Sequence, residues 1–415
     1  MSSLSIGRYF TGLSRSTFLL ALSSLFGDIS TEMLYPILPV FLTQTLGASG
    51  SIVGLVDGFA QATQNIAQGL AGAFSDRLQR RKPVALMGYL LAALAKPLMG
   101  LAASWQGVFG ARLLDRLGAG SRSAPRDALI AASVAEENRG RAFGLEGFGD
   151  NAGAFLGPVL ALLLLDSQVE LRTVFYLAVI PGLAALLMVL LVEERPTAAG
   201  GAKSRLDIRL WQFPRPYRTY LLVTALFGLG SSSNAFLILR SRETGLSLEM
   251  TIVIYAAFNL VAALVSYPAG LLSDKWGRRN LLLVSFLVFL ICYLGFALTP
   301  DILLVATAFV LYGIHQGVFR AVGKTFASDF VPAELRASGI GWYSATVGLI
   351  QLVASLVAGV LWDHVSHAAV FYYGTGSALA GCAGLLILIP SDRQRRNATA
   401  TGAAQPRRRG NRPAQ

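Results

Sequence analysis

The sequence predicts an all-α integral membrane protein with twelve transmembrane helices in two pseudo-symmetric halves of six. Of its 415 residues, 54% are hydrophobic and only 14% are charged, whereas soluble domains carry roughly a quarter charged residues. Twelve apolar runs come close to or exceed the length of about 20 residues that crosses a bilayer as a helix. A charged motif also occurs twice, with Asp76 and Asp274 198 residues apart, which indicates an internal repeat.

Polar turns divide the chain into the predicted spans. Their approximate limits are 16–43, 50–73, 84–104, 107–127, 141–165, 171–193, 217–239, 248–272, 279–299, 302–325, 338–362 and 368–390. A longer stretch with proline, glycine and basic residues follows the sixth span and is typical of a linker. We therefore predict a six-helix half at 1–193, a cytoplasmic linker at 194–216, a second half at 217–390 and a disordered basic tail at 391–415.

The net charge of +12 comes from 35 Lys and Arg against 23 Asp and Glu. In the predicted topology, only Arg172, Arg240 and Arg242 lie in loops on the outer side. Positive charge concentrates in cytoplasmic loops of membrane proteins, so both termini are predicted in the cytoplasm, in a plasma membrane of the bacterial inner-membrane type. The charge then reflects topology and attraction to anionic lipid, and we expect no nucleic-acid partner.

The repeated motif is a short charged turn between two apolar helices, and such a turn must lie in water. Its residues are Gly72, Asp76, Arg77, Arg80 and Arg81 in the first copy and Gly270, Asp274, Lys275, Gly277, Arg278 and Arg279 in the second.

Both turns resemble the signature of the major facilitator superfamily, found after helices two and eight. The second copy fits every position, while the first has Gln79 where glycine is usual. The resemblance spans residues 16–390 and implies the major facilitator fold, a working monomer and transport by alternating access. It also implies that the two turns form a gate that holds the halves together on the cytoplasmic side of the outward-open state. The alternative is that their arginines only set the topology.

The first span contains two carboxylates, Asp28 and Glu32, near its middle. They are four residues apart and therefore share a helix face. Neighbouring carboxylates in a low dielectric favour proton binding by at least one of them, so both are candidates for proton coupling. The alternative is a water-lined wall on which the acids are simply ionised or paired.

The fourth span contains Arg112, Asp115 and Arg116 on one face. Asp115 can neutralise one arginine, and we expect Asp28 and Glu32 to be the counter-ions of the other. The resemblance implies a functional arginine at Arg112, whereas Arg116 departs from the family pattern and could contact an anionic substrate. A purely structural ion network is the alternative. For Lys96 in the third span, we expect either that its ammonium group extends to the membrane surface or that it pairs with an acid.

The fifth span reads Gly144, Gly153, Gly157 and Pro158 at spacings that let helices approach closely. It resembles the antiporter motif of drug-exporting family members, with Ala161-Leu162 in place of the usual glycine pair, and this resemblance favours export over uptake. A generic close-packed helix is the alternative. Asp150, near the middle of the span, is a further candidate proton carrier.

Polar and aromatic side chains in other spans predict a substrate pocket, because rings with a few hydrogen-bonding groups suit an amphipathic organic molecule. The candidates are Tyr35, Asn234, Asn259, Tyr312, His315, Gln316 and Tyr343. Packing and helix-to-helix contacts are the alternative for each of them.

These features predict a proton-coupled exporter of small amphipathic compounds, of the drug:proton antiporter type. The alternative is a proton-linked importer of an organic anion or metal-chelating natural product, for which Lys96, Arg112 and Arg116 would supply positive charge. We expect no enzyme activity, cofactor or metal site, since the sequence lacks a two-histidine metal motif, a nucleophile elbow and a phosphate-binding loop. The expected partners are a small-molecule substrate, protons and the lipid bilayer.

Overall fold

The structure, a computed structural model, describes residues 12–78, 80–135, 138–194, 210–332 and 335–390, and the regular elements within these ranges are helices. Residues 195–209 of the predicted linker and the predicted tail at 391–415 lie outside the described residues.

The amino-terminal half contains spans 1 to 6. Span 1 is the helix Arg15–Glu32, followed by the short helix Leu38–Val40 and the π-helical turn Phe41–Thr45. Spans 2 to 6 are the helices Gly50–Leu78, Lys82–Leu101, Trp105–Ser133, Arg139–Asp166, and Leu171–Leu177 continued by Val179–Leu190.

The carboxy-terminal half contains spans 7 to 12, after a single 3₁₀ turn at Leu210–Gln212. Span 7 is interrupted and consists of the helices Arg215–Gly228 and Asn234–Glu243. Spans 8 to 12 are Leu248–Trp276, Arg278–Leu298, Ile302–Asp329, Arg336–His364 and His367–Leu388. The predicted all-α fold of two six-helix halves is confirmed.

Spans 1 and 7 break at equivalent points of the repeat. Span 1 stops at Glu32, before Pro36, and the residue 198 positions later, Gly230, lies in the break of span 7. Ser233 ends that break, since its hydroxyl caps the next helix by accepting a hydrogen bond from the Ala235 amide at 3.0 Å. Irregular backbone at membrane depth is tolerated where it is buried in protein or lines a cavity.

In the part of the chain that is described, eight helices are long and apolar enough to cross a membrane by length and composition alone. They belong to spans 3, 5, 6 and 8 to 12, so spans 1, 2, 4 and 7 do not qualify. Span 4, for example, contains Arg112, Asp115 and Arg116. These four spans need the rest of the bundle around them, because their breaks and charges require protein partners.

The two charged turns lie at one end of the bundle, here called the basic end, and the opposite end is the far end. At the basic end, span 8 stops at Gly277, whose φ of +89° is in the left-handed region that favours glycine. Its amide donates to the Ser273 carbonyl at 3.0 Å. The positive φ explains why the second motif copy has glycine at this position. Gln79 of the first copy lies outside the described residues.

The two halves meet closely at the far end. Both oxygens of Asp363 at the end of span 11 accept hydrogen bonds, each 2.8 Å long, from the Gly50 and Ser51 amides at the start of span 2. This contact joins the halves at the far end. The cavity between the halves extends toward the basic end, where Arg122, Arg126 and Arg320 line it.

Candidate functional site

A cavity of about 550 Å³ lies between the halves. It is lined by spans 1, 2, 4 and 5 of the first half and by spans 7, 8, 10 and 11 of the second. The residues singled out in the sequence that line it are Asp28, Glu32, Tyr35, Arg116, Asp150, Asn234, Asn259, Tyr312, His315 and Gln316.

Three arginines on the cavity wall escaped the sequence analysis as site residues. Arg122, Arg126 and Arg320 lie toward the basic ends of spans 4 and 10, and all three line the cavity. The repeat contained the signal, since Arg122 and Arg320 are 198 residues apart and Arg126 follows Arg122 by one helical turn.

Asp28 pairs with Arg122, whose Nη2 lies 3.4 Å from the Asp28 carboxylate. The Arg122 guanidinium also lies over the Tyr89 ring, 4.4 Å from its centroid. The prediction that Asp28 and Glu32 neutralise the spare charge of Arg112 and Arg116 is therefore wrong for Asp28. Its partner lies about two helical turns farther toward the basic end, where span 4 is closer to it.

Glu32 faces the second half. Its carboxylate accepts a hydrogen bond of 2.8 Å from the Tyr255 hydroxyl on span 8. The Tyr255 ring stacks on Tyr35 with centroids 5.4 Å apart. A cavity carboxylate is thus part of a contact that joins the two halves.

The glycines of span 5 bring that helix against both span 1 carboxylates. A Cβ on Gly153 would lie 2.8 Å from the Asp28 Cβ, and a Cβ on Gly157 would lie 3.0 Å from the Glu32 Cβ. Both distances are too short for a side chain, so the close helix contact predicted from this motif is confirmed. Pro158 is buried beside them, whereas Gly144 is exposed near the start of the span.

Asp115 is the centre of a buried ion cluster. Its carboxylate lies 2.6 Å from Lys96 Nζ, 3.1 Å from Arg112 Nη1 and 3.1 Å from Arg116 Nε. The Asp115 side chain is 1% exposed and does not line the cavity. Pairing of Lys96, one of its two predicted fates, is confirmed, and the pair stays together because either charge alone would be very costly at this depth.

Asp57 connects this cluster to the second half. Arg112 donates to it at 3.3 Å and Tyr35 donates to it at 3.3 Å. The Ser233 hydroxyl in the break of span 7 also donates to Asp57. Arg112 is therefore neutralised by Asp57 and Asp115, not by Glu32.

Arg126 contacts two acids of span 5, Glu146 and Asp150. Its Nη2 lies 2.5 Å from Glu146 and its Nη1 lies 3.5 Å from Asp150, while Ser24 accepts a further hydrogen bond at 2.7 Å. Asp150 is the more accessible of the two acids, with 37% of its side chain exposed. It faces the cavity as a partly paired carboxylate.

The second half contributes aromatic rings to the cavity. Phe258 stacks near Tyr312 with centroids 5.7 Å apart, and His315 lies 5.4 Å from Phe227 and 5.6 Å from Phe319. The His315 ring is 1% exposed, and its Nδ1 lies 2.9 Å from the Ser285 hydroxyl. This wall therefore offers flat apolar surface with few charges.

Tyr343 does not line the cavity, contrary to its prediction as a pocket residue. It is buried beside Tyr220, with parallel rings whose centroids are 6.0 Å apart. It was selected as an aromatic residue with a hydrogen-bonding group, but its ring packs against span 7.

The side chains of the charged turns that are described contact their own half. Arg81 donates to the Ala128 carbonyl at 3.2 Å, Arg279 donates to the Leu385 carbonyl at 3.0 Å, and Arg278 pairs with Asp329. Arg80 and Lys275 are exposed, and the side chains of Asp76, Arg77 and Asp274 lie outside what the structure describes. Across the described ranges, no group of His, Cys, Asp and Glu could hold a metal ion.

Comparison with known proteins agrees with this architecture. A sequence profile of the Major Facilitator Superfamily matches residues 20–239 and 220–413. An uncharacterised MFS-type transporter of Methanocaldococcus jannaschii is 36% identical over 383 residues, which cover 91% of this chain and 95% of the relative. A homologue of the multi-drug resistance efflux pump PmrA from Lactococcus lactis is 26% identical over 84% of this chain and 89% of its own.

Among solved structures, a nucleoside transporter superposes with a TM-score of 0.77 over 90% of this chain and 100% of its own. The two sequences are 14% identical, so the likeness concerns the fold alone.

Proposed function

Because this chain belongs to the major facilitator superfamily of membrane transporters, we propose that it moves a small organic molecule by proton-coupled alternating access. The observation that carries the proton coupling is the contact between Glu32 and Tyr255, which joins a cavity carboxylate to the opposite half. A hydrogen bond to an ionised acceptor is stronger than one to a neutral acceptor. Protonation of Glu32 would therefore weaken this contact and change the balance between the two states.

Asp28 and Asp150 are the other proposed proton carriers, since both line the cavity beside an arginine. Arg112 and Asp115 have an indirect role in this proposal. They hold Asp57 and Arg116 in position, and they do so from a buried site that the cargo does not reach.

The asymmetric distribution of positive charge supports a topology with both termini and the basic end in the cytoplasm. The open cavity would then face inward. Closure of the basic end would bring together the two charged turns, here the proposed gate, and would separate Asp363 from span 2. We further propose that 1–193 and 217–390 move as the two halves of a working monomer, joined by the linker at 194–216.

Export of an amphipathic compound is the first candidate activity. The aromatic wall around Phe227, Phe258 and Tyr312 supports it, and so does the antiporter-like packing of Gly153 and Gly157 against span 1.

Uptake of an organic anion is the second candidate, favoured by the arginines on the cavity wall. Lys96 and Arg112, which were expected to serve the anion, are neutralised by Asp115 and Asp57. Arg116 contacts Asp115 through Nε, but it lines the cavity and its Nη2 has no hydrogen-bond partner among the described residues, so that nitrogen remains available to a cargo.

Proteoliposomes with an imposed pH gradient and an internal fluorescent pH probe test the coupling. Amphipathic cations, neutral drugs and organic anions are added to wild type, to an Asp28→Asn, Glu32→Gln double variant, and to Glu249→Gln. Glu249 is an exposed carboxylate at the far end and serves as the matched control. We expect a cargo to trigger proton flux in wild type and Glu249→Gln, and the double variant to lose that flux.

Cargo movement without proton flux in any of the three proteins would reject proton coupling. A carrier coupled to another ion, or a uniporter, would then be the better description.

Tyr255→Phe separates the cross-half contact from the charge of Glu32 itself. The variant keeps the ring that stacks on Tyr35 and removes only the hydroxyl. Hydrogen bonds to charged groups contribute about 1.5–3 kcal/mol, so we expect transport to slow by about ten-fold or more. Tyr343→Phe is the control, because that ring does not line the cavity, and an equal loss in both variants would contradict the proposed role of Tyr255.

A further inference from the structure

The two halves share one cavity arginine but not its acidic partner. Arg122 and Arg320 occupy equivalent positions 198 residues apart. Arg122 is paired with Asp28, but the residue equivalent to Asp28 in the second half is Leu226. Arg320 therefore lacks the internal counter-ion that its counterpart has.

Arg320 is exposed on the cavity wall. It forms no salt bridge with any carboxylate among the residues that the structure describes, although eleven other pairings of Lys, Arg or His with acids are present there. An unpaired guanidinium inside a membrane protein marks a place where negative charge can be accommodated.

Arg116 supplies a second, buried donor to the same cavity. Its residue is 8% exposed, and its Nη1 donates to Gln64 at 3.0 Å. Its Nη2 is buried and has no hydrogen-bond partner. A buried donor without an acceptor costs free energy, and an acceptor brought in by a ligand would remove that cost.

The ionisable groups of the cavity wall have a positive excess. They comprise three carboxylates, Asp28, Glu32 and Asp150, against four arginines, Arg116, Arg122, Arg126 and Arg320. Each carboxylate that binds a proton enlarges the excess by one charge. Behind the wall, Asp115 pairs with Arg116 and Glu146 pairs with Arg126. Arg320 is therefore the wall arginine that has no salt bridge among the described residues, and the positive charge that an anion could use is concentrated there.

We infer that Arg116 and Arg320 bind the anionic group of the cargo from opposite halves, while Phe258 and Phe319 contact its apolar body. The cargo class is then a small organic anion with a flat or aromatic skeleton. This inference rests on the proposed function only in taking the central cavity as the cargo site.

The same arginines connect the anion to Glu32, because Glu32, Arg116 and Arg320 line one cavity. The charged and titratable groups around Glu32 are Asp28 and Tyr35 on its own span, Arg112 and Arg116 on span 4, Tyr255 on span 8 and Arg320 on span 10. A carboxylate and a bound anion compete for the same positive charge. A proton on Glu32 therefore favours anion binding, so proton and anion travel in the same direction.

Binding of three tritiated probes of equal size but different charge tests the anion site. The probes are benzenesulfonate, benzenesulfonamide and phenyltrimethylammonium, and the sample is the purified full-length protein in nanodiscs of uncharged lipid. The variants are Arg116→Gln, Arg320→Gln and Arg320→Lys. Arg215→Gln is the matched control, since Arg215 is exposed and lies away from the cavity.

We expect benzenesulfonate to bind and its affinity to fall about ten-fold or more in Arg116→Gln and in Arg320→Gln, as the loss of a charged hydrogen bond requires. Arg320→Lys should retain most of the affinity, and Arg215→Gln all of it. Equal affinity for all three probes in wild type would overturn the inference. So would an equal loss of every probe in both Arg320→Gln and Arg320→Lys, because Arg320 would then hold the cavity in shape.

These results are independent of the proton assay, because no gradient is present. Loss of selectivity for benzenesulfonate with proton flux intact rejects the anion site and leaves the proposed transporter standing. Selective, arginine-dependent binding without any proton flux supports the anion site and rejects proton coupling.

Discussion

The two halves of the molecule build opposite walls of one cavity with different chemistry. In the first half, Lys96, Arg112, Asp115 and Arg116 form a buried ion cluster. The residues 198 positions later are Leu294, Val310, Gly313 and Ile314. The second half thus has the same helices at the same places, but fills this region with apolar groups and presents aromatic rings to the cavity.

This difference shows that the two halves of a repeated fold can have different chemical roles. Charges in a low dielectric are stable only when each has a fixed partner. The ion cluster of the first half therefore holds spans 3 and 4 in a defined position relative to each other. Aromatic surface lacks that requirement and can accept ligands of several shapes. Arg320 is the exception on the cavity wall of the second half, because it has a charge but no salt bridge among the described residues.

Loss of the central acid of the first half should have the largest effect on stability. Asp115→Asn leaves Lys96, Arg112 and Arg116 buried with less counter-charge, and removing one partner of a buried ion pair costs about 3–5 kcal/mol. We expect a large drop in the temperature at which the helical circular-dichroism signal is lost, with the change in the fluorescence of Trp105, which is in the first half, at the same lower temperature.

Glu243→Gln is the control for that experiment. Glu243 pairs with Arg240 at 2.8 Å and with His367 at 2.6 Å, but 37% of its side chain is exposed. Surface ion pairs contribute about 1 kcal/mol or less. If both variants unfold at similar temperatures, the ion cluster does not contribute more to stability than a surface ion pair does.

Crowding the interface between spans 1 and 5 should have an intermediate effect. A Cβ on Gly153 would lie 2.6 Å from the Leu25 carbonyl oxygen, so Gly153→Ala must push span 1 and its carboxylates aside. Overpacking typically costs about 1–3 kcal/mol, and we expect lower thermal stability together with slower transport.

Gly110→Ala, on span 4, is the control, since its new side chain would meet no atom within 4 Å and it does not line the cavity. Equal behaviour of the two variants would mean that close approach of span 5 does not position Asp28.

Opening the far end should have the smallest effect. Asp363→Ala removes the carboxylate that caps the Gly50 and Ser51 amides across the halves, and a lost cap costs about 0.5–2 kcal/mol. Hydrogen exchange of a peptide containing residues 50–54 should accelerate several-fold.

Asp301→Ala removes a cap within one half, at the Leu304 amide. It should accelerate exchange only near residue 304. Unchanged exchange at residues 50–54 in Asp363→Ala would show that this contact does not hold the far end closed.

Much of the site was predictable where it depended on helical spacing. Asp28, Glu32 and Asp150 were expected near the middle of their spans, and they line the cavity. Tyr343 was misassigned as a pocket residue, because its residue type does not show whether it faces the cavity or span 7.

Ion pairing was the least predictable feature. Asp115 was expected to neutralise one arginine, yet it contacts three cations from two spans. Asp28 was assigned to the wrong part of span 4, since a shift of two helical turns between neighbouring helices leaves no mark in either sequence.

The sequence by itself determined the twelve spans, the repeat and the two charged turns. The eight most apolar spans and the charged turns follow from the free energy of moving a stretch of chain between water and lipid, which is a local property of that stretch, and the repeat follows from the recurrence of one motif. Only the tertiary structure decided that Arg122 has a counter-ion and that Arg320 has none among the described residues. The free energy of an ion pair falls with the distance between its two charges, and that distance is set by how one helix lies against another.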